Sequence, residues 1–241
     1  MKVIDNKALL LRLRDPQKVT SIIPKSKELS DNRVVVNWGV DETHVLKNLN
    51  INAPSPIEGQ YQWTGKYKPF EHQKSTAGFL TLNKRAFCFN EQGTGKTASA
   101  IWAADFLMKQ GRINRALVIC PLSIMDSAWR EDLFSFAMHR KVDVAHGSAS
   151  KRTAVIESDA EFVVINYDGV AIVADAIANG GFDLVIVDEA THYKNAQTDR
   201  WKTLNRLLSP DTWLWMMTGT PAAQSPLDAY GLAKLVNPKA V

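Results

Sequence analysis

The sequence is short of cysteine, of long apolar runs and of charge imbalance, and each shortage removes a class of protein. Only two cysteines occur, Cys88 and Cys120, each inside an apolar strand-like run. That excludes a disulfide framework and leaves two reduced core thiols. No stretch approaches the roughly eighteen apolar residues of a membrane span. The start, Met1-Lys2-Val3-Ile4-Asp5-Asn6, lacks the apolar core of a signal peptide. The expectation is a cytoplasmic protein with no membrane partner, nucleoid-associated or in a host cell's cytoplasm if the source is viral. The five histidines have no metal-ligand spacing, so no structural metal is expected. A net charge of +4 is compatible with nucleic acid but too small to establish it. There is no internal repeat and no low-complexity tract.

What is present centres on Arg85 to Lys109. The apolar run Arg85-Ala86-Phe87-Cys88-Phe89 leads through Asn90-Glu91-Gln92 into Gly93-Thr94-Gly95-Lys96-Thr97, and an apolar-periodic segment follows. Strand, glycine turn and helix in that order are the context in which a phosphate-loop match has meaning. Gly93 and Gly95 lack a Cβ, so backbone N–H groups can close around phosphate oxygens. The helix adds its positive end to the same anion. Lys96 suits the β- and γ-phosphates and Thr97 a magnesium ion. Asn90 occupies the slot where such loops usually begin with glycine, and asparagine tolerates positive φ.

With 241 residues the chain holds one large α/β domain and a small appendage. Residues 1–51 read as a small β-rich accessory module. Ala8 to Leu13 is apolar and basic, Val19 to Ile23 is β-branched, Arg33 to Trp38 is a strand, and Asp41 opens a helix through Leu49. Two prolines and a glycine make 52–60 a linker. From Tyr61 the pattern alternates. Helices are expected at Glu71–Leu82, Ile124–Phe136, Ser150–Glu157, Val170–Ala178, Asp199–Leu208 and Leu227–Val236. Strands are expected at Ala116–Cys120, Val142–Ala145, Phe162–Asn166, Leu184–Val187 and Trp213–Met217. Continuous apolar strands between helices predict a parallel sheet covered on both faces, with ligands at the carboxyl ends of its strands.

Asp188-Glu189 ends the strand Leu184–Val187. A carboxylate there suits magnesium, and its neighbour suits the base that deprotonates an attacking water. A shared site requires, and we expect, that Gly95-Lys96-Thr97 and Asp188-Glu189 end neighbouring strands and face each other across a gap for a magnesium triphosphate.

The box Asp188-Glu189-Ala190-Thr191-His192-Tyr193-Lys194-Asn195 resembles the Asp-Glu-Ala-His-x-x-Lys-Asn box of the Swi/Snf-type ATPases within the superfamily 2 helicases. Thr191 stands where those proteins usually carry histidine. The phosphate loop is similar to theirs as well, and further matches follow in the family's order. Lys68-Pro69-Phe70-Glu71-His72-Gln73 resembles the segment whose glutamine, here Gln73, reads adenine. Cys120-Pro121-Leu122-Ser123, Asn166-Tyr167-Asp168 and Thr218-Gly219-Thr220-Pro221 resemble segments that touch DNA or link it to the nucleotide site.

The resemblance covers about Tyr61 to Val241. It implies a RecA-like lobe at 61–241 that binds ATP and magnesium and hydrolyses ATP to move along duplex DNA as a monomer. Under it Glu189 and Lys96 are catalytic. Gln73, Gln92, Gly93, Thr94, Gly95, Lys96 and Thr97 hold nucleotide, Thr97 and Asp188 hold the metal, and Ser123, Tyr167, Thr218 and Thr220 meet nucleic acid. It also implies a second RecA-like lobe whose arginines complete the site, so the chain reads as an N-terminal fragment of a longer translocase, nearly inactive alone. Two alternatives stay open: a strand-separating DNA or RNA helicase of another superfamily 2 branch, and a non-catalytic nucleotide-binding module. The basic pairs Lys84-Arg85, Arg140-Lys141 and Lys151-Arg152 are further candidates for phosphate contact. Of seven tryptophans, Trp102, Trp129, Trp213 and Trp215 lie in core-like segments.

Overall fold

The computed structural model describes residues 1–220 and 228–239. At the N-terminus β1 (Lys2–Ile4), β2 (Ala8–Arg12), β3 (Lys27–Leu29) and β4 (Arg33–Asn37) form an antiparallel sheet in the order β1-β2-β4-β3. Leu9, Leu11, Val34 and Val36 alternate onto its inner face, the period-2 pattern of a half-buried sheet. The β-branched stretch at Val19 to Ile23 begins inside a single helical turn, α1 (Gln17–Thr20), which follows Pro16 and buries Val19; Ile23 is buried just beyond it. Helix α2 (Val40–Asn48) follows β4, with Asp41 and Glu42 in its first turn.

Residues 52–60 are packed rather than loose. Ala53, Ser55 and Ile57 are buried, α3 (Ile57–Gln60) starts after Pro56, and the Ser55 and Thr81 hydroxyls share a 2.7 Å hydrogen bond. Trp38 seals this corner. Its indole N–H donates to the Pro54 carbonyl at 2.9 Å, and a Cβ on Gly59 would meet its ring at 2.6 Å.

The remaining strands, β5 (Arg85–Cys88), β6 (Ala116–Cys120), β7 (Val142–Ala145), β8 (Phe162–Asn166), β9 (Leu184–Val187) and β10 (Trp213–Met217), make a wholly parallel sheet in the order β5-β10-β9-β6-β8-β7. Alternate residues feed two cores. Ala116, Val118 and Cys120 face the one built on α4 (Glu71–Leu82) and α5 (Lys96–Lys109). Leu117 and Ile119 face the other, against α8 (Tyr167–Ile172), α9 (Ala174–Asn179), α10 (Asp199–Leu207) and α11 (Asp228–Val236). Helix α6 (Glu131–Phe136) adds Leu133 to the first core and α7 (Ala149–Ile156) adds Ile156 to the second. The sheet and the two helical layers match the expected RecA-like α/β architecture.

Two expected helices differ in detail. Ile124 to Phe136 is a 3₁₀ turn, a π-helical stretch over Met125–Arg130, and then α6. Val170 to Ala178 is broken at Val173, whose φ of −122° and ψ of 30° leave the helical region. Leu227, expected to begin the last helix, lies outside the described residues.

Candidate active site

The polar motifs converge on the carboxyl edge of the parallel sheet. After β5 the chain turns through Gly93 (φ +76°) and Gly95 (φ +77°), a backbone open to glycine at little cost. Gly95 has a second reason to be bare: a Cβ there would stand 2.1 Å from the Gln73 side-chain nitrogen. Helix α5 then starts at Lys96 with no side-chain cap on its first N–H groups, leaving them available to an anion. The Lys96 ammonium donates to the carbonyls of Asn90 and Glu91, both at 2.9 Å, so it stands inside the loop it would serve.

Asn90 does not use positive φ. Its side-chain amide donates to the Thr76 hydroxyl at 2.8 Å and ties the loop to α4. The asparagine thus replaces a flexible position with an anchored one. Gln73 also lies against the loop: its amide nitrogen donates to the Thr94 carbonyl at 3.2 Å and its oxygen accepts the Phe70 N–H at 2.9 Å. His72, which the motif reading left out, brings Nε2 to 3.0 Å from the same Thr94 carbonyl. Gln92 is exposed beside Gly219. Thr97 lies in the first turn of α5, half-buried.

The acidic pair sits on the same edge but not on a neighbouring strand. Strand β10 lies between β5 and β9, and its end is tied to β5 by the Thr218 N–H donating to the Cys88 carbonyl at 3.1 Å. The expectation of adjacent strands is therefore corrected to a gap one strand wide, floored by the Thr218–Thr220 turn.

Asp188 is 8% exposed. It accepts the Trp129 indole N–H on one oxygen and the Glu189 N–H on the other, both at 2.9 Å. Burial pushes its carboxyl above the ordinary value, while the Trp129 and Glu189 N–H groups and the charge of Lys96 pull it back. Glu189 is held at φ +46°, ψ 54°, a left-handed conformation that costs a non-glycine residue about 1 kcal/mol or more and that clusters at functional sites.

Among the expected nucleic-acid contacts, Ser123 and Thr220 are exposed. Tyr167 and Thr218 are not available for that role. Tyr167 is 7% exposed, and its hydroxyl donates to the Asp188 carbonyl at 2.6 Å, so it braces the acidic pair. Thr218 is fully buried and its hydroxyl accepts the Thr220 N–H at 3.2 Å. The basic pairs are largely committed internally. Arg85 donates to two backbone carbonyls, Arg140 to Asp105 and Glu161, and Arg152 to Asn166 and two carbonyls.

His192 lies one place after the slot filled by Thr191. Its ring lies 4.5 Å from that of Tyr167, tilted by 31°, beside Arg200, which donates to Asp168 at 2.7 Å. Trp129 was legible only as an apolar position in a helical pattern; the partner of its indole N–H comes from another element. A surface hollow of about 710 Å³ lies elsewhere: it is lined by Arg115, Ile156, Val173 and Arg206 and carries none of these motifs.

The donor set suits a magnesium-bound triphosphate. Two positive-φ glycines and an uncapped helix start offer N–H groups, one ammonium stands among them, and a buried carboxylate faces the loop from one strand away. Among the described residues no three His, Cys, Asp or Glu side chains form a metal cage.

Comparison with known proteins agrees with this geometry. The model of the SNF2-related domain matches residues 72–241. The chain is 26% identical over 181 residues to putative protein p41 of Acyrthosiphon pisum secondary endosymbiont phage 1, covering 71% of this chain and 39% of that protein. It is 26% identical over 241 residues to the chromatin-remodeling ATPase INO80 of Aspergillus oryzae, covering 88% of this chain and 16% of that one. The chain thus spans well under half the length of these relatives. The solved SWI2/SNF2 ATPase core of Sulfolobus solfataricus in complex with dsDNA superimposes with a TM-score of 0.64 at 23% identity, covering 73% of this chain and 37% of that one, a likeness of fold.

Proposed function

Because the chain belongs to the SNF2-related domain family, we propose that it is the ATP-binding lobe of a DNA-dependent motor, hydrolysing ATP to move along duplex DNA. The supporting observation is that the Gly95-Lys96-Thr97 turn and the Asp188-Glu189 pair open on one sheet edge with the Thr218–Thr220 turn between them. In this reading residues 1–51 are an accessory module and 61–241 the motor lobe. The N–H groups of Gln92 to Thr97 cradle the phosphates, Lys96 neutralises charge that develops on the γ-phosphate, and Gln73 reads adenine. Glu189, half-buried at its strained position next to Asp188, orients and deprotonates the attacking water. Thr97 and Asp188 would hold magnesium, which supplies charge neutralisation between the β- and γ-phosphates.

Duplex DNA is the proposed track, because the Sulfolobus relative carries dsDNA and the family's remodeling ATPases resemble this chain. Ser123 and Thr220 are the exposed strand-end residues offered to its backbone. A second RecA-like lobe would bring the arginines that complete the site, a contribution typically worth ~10³–10⁵ in rate, so the 241-residue chain alone should turn ATP over very slowly. The motor would act as a monomer in the cytoplasm.

The test is ATPase activity of the full-length protein with and without duplex DNA or RNA. Stimulation by duplex DNA without strand separation is expected. RNA-only stimulation would favour the strand-separating branch, and no stimulation a non-catalytic module. Glu189→Gln should keep ATP binding and abolish turnover, whereas Lys96→Ala should lose binding. If Glu189→Gln loses binding as well, Glu189 is not the base and its role is wrongly assigned.

A further inference from the structure

The N-terminal module carries nine Lys and Arg against six Asp and Glu, three of the chain's four net positive charges in its first fifty residues. Two of those acids are turned away: Asp41 pairs with Arg112 of the lobe and Glu42 accepts from Asn37. The four-stranded sheet sorts the rest by face. Its inner face is the apolar core of the module. On the outer face the register lines up Lys2, Leu10, Val35 and Lys27 in one row across all four strands. Two residues along, Arg12 stands directly opposite Arg33. The single strand acid, Glu28, is opposite Val34 and so belongs to the other face.

Lys2, Arg12 and Lys27 are exposed and have no ionic partner among the described residues; Arg33 reaches Asp31 at 3.5 Å. Like charges directly opposite across strands are destabilising, so the Arg12–Arg33 pair is an arrangement that a shared anion would relieve. Outer strands three spacings apart put Lys2 and Lys27 roughly 14 Å from each other. The pattern is therefore a flat, sequence-indifferent array of cations with half-buried Leu10 and Val35 between them.

We propose that this outer sheet face is a second nucleic-acid contact, binding the phosphate backbone of the duplex on which the motor runs; it rests on the motor reading for the identity of the polyanion. The module is fixed to the 52–60 segment through the buried Trp38 corner, and that segment to the lobe through the Ser55–Thr81 hydrogen bond, with the Asp41–Arg112 pair a minor addition. A phosphate contact there is thus carried at a set position relative to the ATP site, and the two contacts reinforce each other through effective concentration.

The experiment measures binding of the whole chain to a mixed-sequence DNA duplex by fluorescence anisotropy between 50 and 200 mM salt. The variant Lys2→Ala/Arg12→Ala/Lys27→Ala/Arg33→Ala is compared with Lys18→Ala/Lys25→Ala/Lys47→Ala, which removes exposed charge from the module's helices and loop. The face variant should bind more than tenfold more weakly at about 100 mM salt and lose up to about 3.6 units of log–log salt slope, at about 0.9 for each of four phosphate contacts. The control should change little, and both should bind a fluorescent ATP analogue as the parent does. Equal loss in the two variants, or none in either, overturns the proposal while leaving the motor reading intact. So does face-dependent binding of polyglutamate with none of DNA, which would point to an acidic protein. Failure of the motor reading shows separately, as a full-length ATPase indifferent to DNA.

Discussion

At the residue scale the clearest device is the indole of Trp129. It is fully buried, and its only polar atom points at the carboxylate of Asp188. A hydrogen bond to a charged group is worth about 1.5–3 kcal/mol, so Trp129→Phe, which keeps most of the packing, should lower kcat about tenfold or more. The pH dependence distinguishes this from simple loosening. Burial already raises the Asp188 carboxyl and the indole N–H lowers it, so removing the indole raises it further. Activity that needs the ionised carboxylate is lost as pH falls through that value. The acid limb of the kcat profile should therefore move to higher pH in Trp129→Phe, and an unmoved limb would show that the indole does not control the carboxylate. Tyr167 acts on the same pair through the backbone, which explains why a tyrosine in a motif expected to face DNA is buried.

At the scale of elements, α5 carries the phosphate loop at one end and a buried charge in its middle. Asp105 is fully buried and takes hydrogen bonds from Tyr61, His139 and Arg140, with Lys109 at 2.9 Å. Burial works against its ionised form, yet those donors outweigh it and hold the carboxyl below the ordinary value. The hub ties α5 to the start of the lobe and to the loop after α6. Leaving its cations without a partner is costly, so Asp105→Asn should destabilise the chain by about 3–5 kcal/mol, measured by urea unfolding at neutral pH. A carboxyl depressed in the folded state stabilises above its unfolded value, near 3.9, and loses that contribution as pH falls through the lower folded value. The gap between parent and Asp105→Asn should therefore be full at pH 6 and shrink below about pH 4; a gap constant down to pH 2 would exclude this account. The π-helical stretch at Met125–Arg130 is the other element with a purpose. It inserts an extra residue in the turn that aims Trp129, and such bulges recur at functional sites.

For the molecule as a whole, the question is how rigidly the module rides on the lobe. The Asp41–Arg112 pair is bidentate at 2.9 and 2.7 Å, but Asp41 is 74% exposed at its side chain, so solvent and salt leave it worth well under 1 kcal/mol. Trp38 dominates. It is 3% exposed, its indole N–H is satisfied by Pro54, and Gln60 donates to its carbonyl at 2.6 Å. Truncating such a residue costs about 3–5 kcal/mol. Trp38→Ala should make residues 1–60 accessible to limited proteolysis while the lobe keeps its resistance, and Asp41→Ala should not. Cleavage spreading equally through both parts would mean that module and lobe form one cooperative unit.

Much of this protein was readable before any coordinates. Period-2 and period-3.6 apolar patterns are local, so β6, β8, β9 and β10 and helices α4 and α10 fall close to their expected bounds. The turn at Gly93 and Gly95 is legible because only a residue without a Cβ takes that backbone cheaply. Strand order is not local: nothing in the spacing of Thr97 and Asp188 says that β10 lies between their strands. Nor could spacing foretell which side chains turn inward. Tyr167 and Thr218 read like Ser123 and Thr220, and only packing separates the buried pair from the exposed one. The outer face of the first sheet is the same case, since its four cations are scattered over more than thirty residues and become one surface only when the strands pair. The order of residues determined the elements and the chemistry they carry; tertiary contact decided which of those groups meet, because burial and cross-strand register are properties of neighbours distant in the chain.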